Sequence, residues 1–167
     1  MRRALAPLVA VVAIALLAAP VAGKTDGVAY QCEEYAYALV DEGRYWESDG
    51  VAHLRGQVAV MLSVGDDHCA GLLTAVVSYN LNLATSTGTL WGTGVLETSA
   101  FDGGYTSSWH ATFTASDPMA PDAHDIWLGQ YVRHGFGELE GWQARGTILE
   151  KLHYYVLEDG FAFEPGS

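Results

Sequence analysis

Two short acidic, imidazole-bearing stretches are the first places in this sequence where chemistry could reside. Asp66, Asp67 and His68 are consecutive, and Asp122, His124 and Asp125 crowd a second stretch. Carboxylate oxygens and imidazole nitrogens are the donors of Ca²⁺ and Zn²⁺ sites. Neither stretch has the spacing of an EF-hand loop or of a His-Glu-x-x-His helix, so both read as solvated acidic turns, with no metal and no cofactor expected. His68 also adjoins Cys69, and an imidazole beside a thiol is one ingredient of an activated nucleophile. A dipeptide fixes no geometry, however, and no Gly-x-Ser-x-Gly elbow or Walker loop occurs elsewhere. His53, His110, His134 and His153 are scattered over separate segments and read as surface residues.

The aromatic residues are more informative. Tyr79, Trp91, Trp109, Trp127 and Tyr131, with Phe113, fall on the apolar-rich phase of alternating segments. Such rings either fill a β-core or line a cavity and stack on a flat or apolar ligand. On the second reading Tyr79, Trp91, Trp109, Trp127 and Tyr131 are the candidate ligand-binding set.

Past the signal-like first 23 residues, period-2 alternation dominates the chain. Leu73, Ala75, Val77, Tyr79, Leu81 and Leu83 share one face of a strand, and Thr74, Ser78, Asn80 and Asn82 the other. Leu54, Gly56, Val58, Val60 and Leu62 alternate in the same way, and the turn chemistry of Gly65 to Gly71 joins the two runs into a hairpin. Further strands are expected over 90–98, 107–115 and 126–134, each bounded by turn-forming residues, and one or two over 143–157. Only 30–40 is ambiguous, because Cys32, Tyr35, Ala36, Leu39 and Val40 also fit a helical face. Trp91, Trp109 and Trp127 recur at one strand and connection per step, as in a meander. The expectation is an all-β domain, a single antiparallel up-and-down barrel of seven or eight strands, with a β-sandwich as the alternative.

Arg2 and Arg3 precede an apolar run from Ala4 to Val21 that closes on Ala22 and Gly23, the layout of a secretory signal. Pro7 and Pro20 weaken the rival reading of a membrane anchor. The expected organisation is a signal over 1–23 and one β-barrel domain over 24–167, secreted, or periplasmic where the cell has an outer membrane. Export would deliver the only two cysteines, Cys32 and Cys69, to an oxidising compartment, so a disulfide between them is expected. A net charge of −12 repels nucleic acid and anionic lipid surfaces, so neither is an expected partner once the signal is removed.

Gly135, Gly137, Gly141 and Gly146 suggest a phosphate cradle, but no helix opens after them and Glu138 and Glu140 would repel phosphate. A tight hairpin at a barrel rim suits them better. The run Gly137, Glu138, Leu139, Glu140, Gly141, with Gly146 five residues on, resembles the glycine hairpin of the allene oxide cyclase and dirigent-like (calycin-like) β-barrels. Together with His53, Leu54, Arg55 and Gly56 it is also similar to small exported bacterial proteins. The resemblance covers about twelve residues and implies the barrel; no catalytic residue is carried over from it. Three functions follow as expectations: a secreted barrel binding a small apolar or aromatic ligand inside, an acidic extracellular interaction module with a filled core, and an allene oxide cyclase-like isomerase.

Overall fold

A computed structural model describes residues 27–115, 124–151 and 155–166, apart from the side chains of 36–37, 124–127, 150–151 and 155. The expected signal over 1–23 and the acidic stretch around Asp122 lie outside the described residues, as do the side chains of His124 and Asp125. Among the described residues there is no helix, and hence none long and apolar enough to cross a membrane. Nine strands follow one another among the described residues: β1 Val28–Asp41, β2 Arg44–Ser48, β3 Val51–Gly65, β4 Gly71–Asn82, β5 Thr87–Thr98, β6 Gly103–Ala115, β7 His124–Gly137, β8 Gln143–Lys151 and β9 Tyr155–Phe163.

From β3 to β9 each strand pairs antiparallel with the next, and β1 pairs with both β9 and β3. Eight strands therefore form a closed, barrel-like ring, in which every ring strand has a neighbour on each side. Strand β2 extends the line of β1 along the first half of β3, pairing Arg44 to Ser48 with Arg55 to Val51. The ambiguous 30–40 segment is strand, with Tyr30, Cys32 and Glu34 buried in alternation. The 143–157 segment divides between two strands, β8 and β9.

One alternation is corrected. Leu54 to Leu62 does not keep a single face, because the β3–β4 register jumps from Leu54↔Tyr79 to Gln57↔Val77. Gly56 sits in that bulge at a φ of 69°, the left-handed region a side chain resists. The slip reverses the phase, so Gln57, Ala59, Met61 and Ser63 face their inward partners on β4 while Leu62 and Val64 are exposed.

Side chains inside the ring form two apolar clusters. One, at the end closed by the turns, holds Cys32, Cys69, Leu73, Leu96, Tyr105 and Leu139; the other holds Ala52, Leu54, Tyr79, Leu81, Leu90 and Phe113. Val77 and Trp109 pack against both. The disulfide links Cys32 of β1 to Cys69 in the β3–β4 turn, with Cα atoms 6.0 Å apart. Beside it His68 lies between Phe101 and Trp142, with ring centroids at 5.3 and 4.8 Å, and its Nδ1 is 2.9 Å from the Tyr105 hydroxyl. Aromatic plugs from three turns thus cover that end of the ring.

Candidate functional site in the ring interior

The inward positions of the strands alternate rings with glycines. Trp109 on β6 is paired with Gly92 on β5, Phe113 with Gly88, and Tyr131 on β7 with Gly146 on β8. A Cβ at Gly92 would overlap the Trp109 indole, one at Gly88 the Phe113 ring, and one at Gly146 or Gly160 the Tyr131 hydroxyl. Each ring therefore lies down on a neighbouring strand where a side chain is missing, along the wall instead of across the lumen. Gln57, Val77 and Trp109 face inward at mid-strand and retain accessible surface. In a fully packed interior such positions would be sealed.

One residue pair toward the disulfide end, the wall turns ionic. Arg133 on β7 is 1% exposed and grips Glu158 of β9 with both terminal nitrogens, at 2.9 and 2.6 Å. Its Nε donates to Ser107 Oγ at 3.0 Å, and Nη2 reaches Glu34 of β1 at 3.5 Å. The guanidinium carbon stands 4.7 Å over the Tyr131 ring, and the Tyr131 hydroxyl donates to that of Tyr30 at 2.7 Å. One cation thereby ties four strands together across the interior.

This arrangement sets the protonation of its members. Burial, and then the Glu158 charge, push the Glu34 carboxyl well above the usual carboxylate range, with Arg133 opposing. A neutral Glu34 leaves one carboxylate against one guanidinium, the charge balance a buried cluster requires. Burial disfavours the charge on Arg133, but Glu158, Tyr30 and Glu34 more than offset this and hold its pKa above the ordinary value. Burial likewise raises Tyr131, and pushes the Tyr105 phenol up to about 12. Ser63, directly across from Glu34 on β3, is buried with its hydroxyl unpartnered among the described residues. Among the same residues no group of three acidic, His or Cys side chains is placed to hold a metal ion.

The expected ligand-binding set is only partly brought together. Tyr79 and Tyr131 are buried inside, and Trp109 lies inside between the clusters. Trp91 is a correction: its cross-strand partners are Ser78 and His110, and it lies on the outer face beneath the Arg55 guanidinium, 4.6 Å from the ring. The neighbours Leu90 and Gly92 hold the buried phase of β5. Trp127 pairs through its backbone with Phe113 and Glu150, and its side chain lies outside the described residues. Arg133, Glu34 and Glu158 were missed because a charge is ordinarily read as outward. A signal was there: Arg133 follows Tyr131 by two residues, Glu158 follows Val156 by two, and Glu34 follows Cys32 by two.

No protein-family model, curated protein or solved structure matches the chain.

Proposed function

We propose that this is an exported binding protein that takes a small apolar or aromatic ligand into the ring, against the accessible surface of Trp109 between the two clusters. The observation that carries the reading is the half-burial of the inward Gln57, Val77 and Trp109, in a wall whose rings seat on glycines. Tyr79 and Phe113, ring centroids 5.8 Å apart, bound that space on one side, and the Tyr131–Arg133 layer on the other. An aromatic wall with few polar groups favours flat or apolar ligands over sugars and nucleotides. The signal layout of the first 23 residues and the Cys32–Cys69 bridge support export, and the resemblance to allene oxide cyclase-like barrels agrees with a closed ring.

A module with a filled core is disfavoured by the accessible Trp109. An isomerase draws on the inward Glu34 and Glu158, but these are 3% and 2% exposed and closed on Arg133, so they brace the ring and are taken up by that pairing.

An apolar fluorescent probe should alter Trp emission saturably, with micromolar affinity as a rough expectation of about −8 kcal/mol. Trp109→Ala should weaken the response, and Val77→Phe, which fills the same space, should abolish it while circular dichroism is unchanged. A response unaffected by Val77→Phe, or no saturable response, overturns the proposal. The exported chain should begin near Lys24 by intact mass; recovery only in membranes with Arg2 retained would refute export.

A further inference from the structure

The outer face of β3 to β7 carries a groove of about 890 Å³, whose lining also includes Gly88 and Phe113. Its polar lining is Asn80, Asn82, Thr87, Thr89, Thr112 and Thr114, with His53 beside Asn80 and with Val51, Phe113 and Leu128 as apolar contributors. Among the described residues no lining side chain is an acid, a lysine or an arginine, in a chain of net charge −12. We propose that this groove binds a neutral, hydroxyl-rich ligand, a saccharide chain.

Chemistry selects that class. A phosphate or carboxylate ligand would need a cation in the lining, and a metal ion would need carboxylates. An apolar ligand would strip water from the hydroxyls of Thr89, Thr112 and Thr114 and from the two asparagine NH₂ groups without replacing its hydrogen bonds. A polyol offers a donor and an acceptor at every hydroxyl, and threonine hydroxyls answer both. The lining is also regular. Asn80, Thr89 and Thr112 form one cross-strand row, and Asn82, Thr87 and Thr114 the next. Strand spacing sets these groups about 4.8 Å apart along each row.

Part of the lining is oriented in advance. The Asn80 carbonyl oxygen is held by His53 Nδ1 and by Arg55 Nη2, each at 2.7 Å. The Asn82 oxygen accepts the backbone N–H of Ala84 at 2.9 Å and of Thr85 at 3.1 Å. With both oxygens taken, each asparagine presents its NH₂ as a fixed donor, which lowers the ordering cost of binding. His53 lies at the edge of an aromatic platform: it stacks on Trp46 at 4.9 Å and 19°, and Arg55 spans Trp46 and Trp91.

The test is NMR titration of the intact exported protein with neutral cello-, xylo-, malto- and chito-oligosaccharides. Cellobiose-sized sulfated sugars and a hydrophobic dye serve as the charged and apolar arms. At least one neutral oligosaccharide should shift the amide signals of Asn80, Thr89 and Thr112 saturably. The Thr89→Val, Thr112→Val double variant keeps shape and removes two hydroxyls, and should weaken binding about tenfold or more. Trp109→Ala should leave it unchanged, which separates this site from the interior one. The proposal is overturned if no neutral sugar shifts these signals, if the double variant binds equally well, or if the charged or apolar arm takes the groove in preference.

Discussion

Replacing Arg133 by methionine tests the interior ionic layer. The substitution removes the two-pronged contact to Glu158, the Ser107 bond and the contact to Glu34, and it leaves two carboxyls inside the ring with no cation. Breaking a buried pair from one side costs about 3–5 kcal/mol, a large part of the roughly 5–15 kcal/mol that holds a domain together. At about 2–4 °C per kcal/mol for a chain of this size, melting should fall by roughly 6–20 °C near neutral pH. The pH dependence is diagnostic. Glu34 already has a folded pKa above its unfolded one, so its contribution is complete below the unfolded value and is lost as pH rises through the folded value. Without Arg133 the opposing attraction disappears and that rise steepens. Thermal melts at about pH 5 and about pH 8 should therefore show a smaller deficit in acid. Adding Glu158→Leu should recover part of the loss, since an apolar replacement of the whole pair is often tolerated. Equal deficits at both pH values, or an unchanged melting temperature, would show that the cluster is not the brace its geometry implies.

Cys32→Ala should destabilise by about 4 kcal/mol in the chain-entropy picture, given a sequence separation of 37, and should be checked by denaturant titration beside the reduced wild type. Gly141→Val should cost about 1–3 kcal/mol by chemical denaturation, because Gly141 sits at a φ of 85° and a Cβ there would meet Pro165 Cγ at 2.8 Å. Proton NMR should find the His68 imidazole titrating below its ordinary value, because burial outweighs the pull of Asp67 and Asp66; its contribution to stability is present at higher pH and lost as pH falls through that midpoint.

The strands are readable because half-buried segments announce themselves by alternation, and β4 carries its pattern from Leu73 to Leu81 with only the exposed Val76 out of phase. β3 carries one too, but Gly56 inverts it midway, and a bulge is a property of two strands in register that one strand's sequence does not encode. Hydrophobicity alone assigns Trp91 to the inside, whereas the register of β5 turns it outward by giving the buried phase to Leu90 and Gly92. The ionic layer was hidden for the opposite reason. Arg133 and Glu158 each look like surface residues alone, and only the pairing of β7, β8 and β9 brings them together. The Cys32–Cys69 bridge needed no geometry, since a two-cysteine chain permits one internal pairing.

The seating of rings on glycines also makes certain positions inseparable in evolution. Gly92 cannot gain a methyl group while Trp109 lies across it, and the same holds for Gly88 under Phe113. A lineage that shrinks Trp109 frees Gly92 to vary, whereas one that fixes alanine at 92 must first surrender the indole. The order of change is therefore constrained, ring before glycine. Divergent sequences of this ring should show the two positions drifting together, as a record of which lumen each descendant has kept.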